Sequence, residues 1–254
     1  MSAPIQATLE KWVTRERVRS EHCRNRTACS LYDSNGLAML PWIESGYSAV
    51  AIRTEEVAYV SGVEVALSGL SDERAVETQL GALGDLAFIF AIPPCADLCS
   101  AGARWWRKKR ARNPNFQHDA AQQIIDLRRL LSDTGIPFCM VLPASSVVKR
   151  LVGVPDLTFH PHEYGGYLSK DAEHPLFPEV VPVSDRYTKR SFAYVGNGAV
   201  LPFKKSLAPR FTTIALKNGK TKRVSPVLAS RRTKHTRSLV PLGFATALCA
   251  LNSA

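Results

Sequence analysis

The pattern of this 254-residue chain predicts an α/β protein built on a doubly wound, largely parallel sheet. Two observations carry that prediction. Residues 85–92 read DLAFIFAI and residues 137–142 read PFCMVL, nearly apolar along both faces. A strand buried on both faces belongs in a parallel sheet. Between residues 29 and 142 such strands alternate with helical segments, the spacing of βαβ units. Composition bounds the rest: 45% hydrophobic and 22% charged residues exclude a disordered or collagen-like chain. The length suits one large α/β domain or at most two small ones.

The elements follow in order. Residues 1–26 form a basic, partly helical lead-in, in which residues 7–19 place Leu9, Trp12 and Val13 on one side. Residues 29–33 are a short strand ending in Asp33, followed by the turn Ser34-Asn35-Gly36. A helix over 38–45 is stopped by Gly46, and 47–52 (YSAVAI) is a second strand. Residues 71–83 are a helix with Asp72 and Glu73 in its first turn. The apolar strand 85–92 runs into Pro93-Pro94-Cys95. Residues 116–131 carry Ala120, Ile124, Ile125, Leu127 and Leu131 at helical spacing. Beyond Ser145, Pro, Gly and aromatic residues predict turns and short strands, and Asn218-Gly219 after residues 212–216 signals a hairpin. The expected organisation is a lead-in (1–26), an α/β core (27–188) and a basic, irregular or β-rich C-terminal segment packed on it (189–254).

The N-terminal segment has no apolar h-region, and the longest apolar run is broken by two prolines and too short to span a bilayer. A cytoplasmic protein with no membrane partner is expected, with its six cysteines reduced. The pairing of His160 and His162 with Cys95-x₃-Cys99 lacks the spacing of a zinc motif, so no metal is expected. His118 and His174 read as surface residues. The net charge is +11, and it is unevenly placed. Residues 189–254 hold 13 Lys+Arg and no Asp or Glu, while the other 188 residues hold 20 basic and 22 acidic side chains. A one-signed field of that size predicts an anionic partner, nucleic acid first, bound in a salt-sensitive way.

In doubly wound sheets ligands bind at the carboxyl ends of the strands, and two candidate sites fall there. One is Asp33-Ser34-Asn35-Gly36, where a small residue and a glycine let the backbone approach a ligand. The other is Cys95, on a loop after the double proline, followed by Asp97, Gly102, Arg104, Trp105, Trp106 and the run Arg107-Lys108-Lys109-Arg110-Ala111-Arg112. Nearby cations are expected to lower the thiol's pKa and favour the nucleophilic thiolate. The two tryptophans either stack on bases or pack in the interior. The runs at Lys204-Lys205, 220–223 and 231–237, with Arg231, Arg232 and Arg237, read as phosphate contacts that position without reading sequence.

The order strand-Asp33-x-x-Gly36, a second strand after Gly46-Tyr47, then an apolar strand and Pro93-Pro94-Cys95 resembles the cytosine-C5 DNA methyltransferase family, especially its short phage-type members. Downstream stretches add to the likeness: Phe159-His-Pro-His-Glu163-Tyr-Gly-Gly-Tyr167, Tyr187-Thr-Lys-Arg190, Val195-Gly-Asn-Gly198 and Pro241-Leu-Gly-Phe-Ala245. The resemblance covers roughly residues 29 to 247. It implies a class I, Rossmann-like methyltransferase fold binding S-adenosylmethionine, with Asp33, Asn35, Gly36 and Pro93 at the cofactor. It also implies that Cys95, behind Pro94, attacks C6 of a cytosine flipped from the duplex. A basic motif that includes Arg190 would hold the base and its phosphates, and Arg104 would clamp one or the other.

Three departures qualify that expectation. On the best match Leu142 replaces the Glu of the family's Glu-Asn-Pro, which protonates the base. Such acid–base assistance is typically worth about 10²–10⁴-fold in rate. Asp97 or Glu163 would then have to supply the proton. The second strand ends in Arg53-Thr54 instead of the acid that holds the ribose, leaving Glu55 or Glu56 as substitutes. The turn at residues 33–38 lacks the family's second glycine. The sequence therefore also admits a catalytically silent nucleic-acid-binding protein on the same fold, or a cytosine-modifying enzyme with another donor.

Overall fold

The computed structural model describes residues 26–53, 64–67, 73–215, 218–229 and 238–253. The lead-in helix expected over 7–19 lies outside these residues, as do Glu55, Arg231, Arg232 and Arg237.

Strand β1 (Thr27–Leu31) leads through a 3-10 turn, Leu37–Met39, into α1 (Leu40–Glu44) and β2 (Ser48–Arg53). After β3 (Glu64–Leu67) come α2 (Glu73–Gly81) and β4 (Leu86–Ala91). Next are α3 (Ala103–Arg112), α4 (Phe116–Asp133), β5 (Phe138–Pro143) and α5 (Ser146–Leu151). The chain closes with β6 (Leu157–Phe159), β7 (Ser191–Gly196), the pair β8 (Thr212–Ala215) and β9 (Thr221–Val224), α6 (Pro226–Ala229) and α7 (Leu242–Asn252).

Seven strands form one sheet in the order β3-β2-β1-β4-β5-β7-β6. Neighbours from β3 through β5 pair in parallel, and only β7 runs against its neighbours β5 and β6. The winding reverses direction between β1 and β4, which makes their carboxyl ends the topological switch point. β4 is buried at every position, as its sequence requires. Alternate β4 residues feed two cores: Phe88 and Phe90 face α7, while Ile89 and Ala91 face α2, α4 and α5.

The α7 face is anchored by aromatic packing. Trp42 stacks on Phe88 at 5.0 Å, and Phe159 stacks on Phe244 at 4.2 Å. α7 reads LGFATALCALN, apolar on nearly every side, and such a helix is stable only when enclosed. β7 hydrogen-bonds between β5 and β6, and α7 fills one core, so these two elements of the basic segment are part of the main fold. The part of the basic segment that stands apart from the main sheet is the β8–β9 hairpin, turned at Asn218-Gly219 as expected.

No helix among the described residues is long and apolar enough to cross a membrane.

Candidate functional site

The carboxyl ends of β1, β2, β4 and β5, with the start of β7, form one edge, and the two candidate stretches meet there. At the β1 end Asp33 is buried and its carboxylate serves the turn behind it. Oδ1 accepts the Asn35 amide at 3.2 Å and Oδ2 the Ala38 amide at 3.0 Å. Burial raises its pKa, opposed by those amides, the Gly36 amide and the charge of Arg53. Gly36, at φ 73°, takes the left-handed conformation that a Cβ disfavours. The Asn35 side chain is enclosed, and its Nδ2 has no hydrogen-bond partner among the described residues.

Arg53 ends β2 and is 2% exposed. Its guanidinium donates to the Ser34 carbonyl at 2.7 Å, tying the β2 end to the Asp33 turn. A cation thus occupies the strand-2 position at which the family resemblance leads one to expect a carboxylate.

At the β4 end Pro93 is buried, Pro94 exposed and Cys95 half-buried. Four hydrogen bonds fix this loop and its neighbour. The Leu98 amide donates to the Cys95 carbonyl at 3.0 Å. Ser145, just past β5, donates its hydroxyl to the Leu98 carbonyl at 2.6 Å and caps α5 by accepting the Val148 amide at 3.0 Å. The Ala144 amide donates to the Arg190 carbonyl at 3.0 Å. Two adjacent residues after β5 therefore hold the Cys95 loop on one side and the start of β7 on the other. Gly102 permits the loop to fold back, since a Cβ there would collide with the Ala96 carbonyl oxygen.

The Cys95 thiol is not activated by the cations of residues 107–112, contrary to the sequence expectation. A hydrogen bond with Cys99, burial and the Cys99 charge push its pKa up; among the described residues the cation pulling it down is Lys189. Lys189 donates from Nζ to the Leu239 carbonyl at 2.9 Å. Burial lowers its pKa to about 8, while Cys95, Asp185 and Cys99 draw it upward. Asp185 is 3% exposed, and burial raises its pKa to about 7. Its Oδ2 accepts the Gly243 amide at the start of α7 at 2.8 Å.

The proposed stand-ins for the missing acid are both engaged. Asp97 pairs with Lys109 at 2.5 Å. Glu163 pairs with Lys204 at 2.9 Å and accepts the His160 amide at 2.7 Å. Burial works to raise the Glu163 pKa, but the Lys204 and His160 contacts outweigh it and the net shift is downward. With Pro143 aligned to the proline of Glu-Asn-Pro, the glutamate position falls on Val141, one residue before Leu142. Both are buried and apolar, so β5 brings no acid to this edge at either position.

Beyond the Cys95 loop the basic run lies on the helix α3, in which no residue is buried. Arg104, Arg107, Lys108, Lys109, Arg110 and Arg112 line it, without an acidic residue. Arg104 lies over the Trp105 ring at 5.1 Å, and Trp105 is 51% exposed. Trp106 is half-buried, with its Nε1 enclosed and without a hydrogen-bond partner among the described residues. Arg190 is exposed at the start of β7, and Lys220, Lys222 and Arg223 are exposed on the hairpin. His118 is exposed as expected, but His174 is not a surface residue. It is 5% exposed, accepts the Leu176 and Phe177 amides on Nδ1, and burial lowers its pKa to about 4.

The edge thus gathers Asp33, Asn35, Gly36, Pro93, Pro94, Cys95 and Asp97, with Arg104 and Trp105 on the adjoining helix. It adds three residues that the sequence alone does not single out: Ser145, Asp185 and Lys189. Only the Thr188-Lys189-Arg190 motif carries a signal for any of them, and it points to Arg190, the neighbour of Lys189. No group of three metal-ligating side chains occurs among the described residues.

No family model and no curated protein matches the sequence. Among solved structures, a crystal structure of WbdD aligns at 13% identity with a TM-score of 0.32. The alignment covers 84% of this chain, which spans about 45% of the length of that structure. A likeness that slight carries no argument about activity.

Proposed function

We propose that the chain is a cytosine-C5 DNA methyltransferase-like protein on a class I methyltransferase sheet, with Cys95 as its nucleophile. The observation that carries this reading is the position of Cys95. It follows a double proline at the carboxyl end of β4, beside the switch point, and is followed by an unburied basic helix. The sheet order supports the fold assignment, because the class I methyltransferase sheet has this winding with one reversed strand next to last. The cations of α3 and the hairpin supply phosphate contacts, and exposed Trp105 offers a ring for stacking on a displaced base.

The chemistry asked of the protein is addition. The Cys95 thiolate forms a bond to C6 of the flipped cytosine, the C5–C6 double bond gives its electrons to C5, and C5 becomes nucleophilic. S-adenosylmethionine, when bound, supplies the methyl group. The β1 turn suits the methionine end, where Gly36 keeps the backbone open and the Asn35 amide has a donor to offer. The ribose end is not matched among the described residues, because Arg53 stands in place of the acid.

That mismatch, with Val141 and Leu142 in place of the proton donor, favours a second reading: a nucleic-acid-binding protein on this fold that transfers no methyl group. Incubation with unmodified DNA and labelled S-adenosylmethionine, followed by nucleoside mass spectrometry, separates the two. Methyl-deoxycytidine formed by the wild type and lost in Cys95→Ser is the expected result. No methylated product, with DNA still bound at low salt, establishes the second reading.

A further inference from the structure

We propose that Lys189 is the positioning residue for Cys95: its ammonium group is the counter-charge that stabilises the Cys95 thiolate as the thiol proton leaves to water. The inference rests on Cys95 being the reactive group of this edge, and it adds the element that makes a buried thiol usable.

The placement comes from the backbone. Ala144 and Ser145 are consecutive residues at the end of β5, and each is tied to one of the two segments. Ser145 Oγ donates to the carbonyl of Leu98, inside the loop from Cys95 to Cys99. The Ala144 amide donates to the carbonyl of Arg190, the residue after Lys189. The Lys189 stem is then held at its far end, because Nζ donates to the Leu239 carbonyl at 2.9 Å. Leu239 sits just before α7, whose first amides are taken by Asp185. A lysine ammonium has three donors, and the Leu239 carbonyl uses one.

The groups whose charges act on Lys189 are Cys95, Asp185 and Cys99. Two of them are thiols joined to each other by a hydrogen bond, and such a pair holds its protons unless a cation offsets the charge left behind. Among the described residues, Lys189 is the cation that acts on Cys95 in that way. The six cations of α3 turn to solvent and to Asp97 instead. This division assigns the two basic groups different work: α3 meets the polyanion, and Lys189 serves the nucleophile. It also gives the Thr188-Lys189-Arg190 motif a role for its middle residue that is independent of DNA binding.

The test needs neither DNA nor cofactor. Iodoacetamide forms an S–C bond with the Cys95 thiolate and releases iodide, so its rate counts the thiolate present. We would measure that rate from pH 7 to pH 9.5 on the full chain, locating the label by peptide fragmentation. An opposite charge beside a thiol lowers its pKa, and each unit is about tenfold in rate at fixed pH. Lys189→Met is expected to slow Cys95 labelling at pH 8 by about threefold or more. Lys189→Arg, which keeps its charge throughout, is expected to label at least as fast as wild type and to gain on it above pH 8, where Lys189 begins to lose its proton.

Unfolding exposes Cys95 and speeds its labelling, so it cannot imitate the slowing. If Lys189→Met fails to fold, Lys189→Arg decides. The proposal is overturned if a folded Lys189→Met labels within twofold of wild type at every pH. It is equally overturned if a folded Lys189→Arg labels more slowly than wild type at pH 9. Neither result depends on whether the protein methylates DNA, so failure of this inference is distinguishable from failure of the functional reading.

Discussion

The two ends of the same sheet edge are built on opposite principles. At the β1–β2 end, Asp33 and Arg53 are both buried and spend their polar atoms on the protein itself. The carboxylate closes the turn through two amides, and the guanidinium ties β2 to that turn. At the β4–β7 end, Cys95, Cys99, Lys189 and Asp185 form a cluster in which the Cys95 pKa is pushed up and the amine is pulled toward neutrality. The first end is a structural joint that leaves Gly36 and the Asn35 amide for a ligand. The second holds groups whose protonation changes near neutral pH, and such groups cluster where chemistry is done.

The largest effect is expected at the joint. Arg53→Met removes the guanidinium's hydrogen bond to the Ser34 carbonyl and one of the influences that oppose burial at Asp33, a loss of about 1.5–3 kcal/mol. Urea denaturation should show that loss, and a cost below about 1 kcal/mol would mean the joint is not what holds the β1 turn.

The cluster should announce itself through pH. Asp185 has its folded pKa raised to about 7 from a carboxylate's usual value near 3.8. The folded state therefore binds the extra proton, so this stability is fully present below pH 3.8 and is lost as the pH rises through about 7. Wild-type stability should fall relative to Asp185→Asn between pH 4 and pH 7.5, by at least about 1 kcal/mol. Parallel stability curves for the two proteins over that window would contradict the cluster.

A smaller effect belongs to the clamp between the two segments. Ser145→Ala removes the α5 cap and the tie to Leu98, a loss of about 1–2 kcal/mol, and should also change the Cys95 labelling rate. Stability lost with the labelling rate unmoved would separate the cap from the clamp.

The smallest effect on stability is expected in α3, where it would be most visible in binding. Arg107→Glu with Lys108→Glu should leave the unfolding free energy within about 0.5 kcal/mol. The same pair should weaken DNA binding and lower the salt dependence by about one unit of slope for each phosphate no longer neutralised. Undiminished DNA affinity would remove α3 from the interface.

Much of the frame is legible in the sequence because burial on two faces leaves a plain mark. Phe88 to Ala91 and Phe138 to Leu142 are apolar at consecutive positions, and both are central strands. α3 is not legible, because a helix that buries nothing has no apolar stripe to read. β7 mixes Ser, Tyr and Gly with apolar residues, and its place between β5 and β6 is fixed by partners distant in sequence. The site divides the same way. Asp33, Gly36 and Cys95 announce themselves through turn and strand-end position. Lys189 does not, since what distinguishes it from twelve other cations in its segment is a set of neighbours assembled from residues 95, 99, 185 and 239.

The central claim is that Cys95 adds to C6 of cytosine in DNA, and it can be tested without any methyl donor. Addition makes C5 basic, so C5 takes a proton from water, and reversal then releases the hydrogen it first carried. DNA tritiated at cytosine C5 should therefore lose tritium to solvent in the presence of the wild-type protein and not with Cys95→Ser. Release no greater with the wild type than with Cys95→Ser would contradict the account and leave a DNA-binding protein in its place.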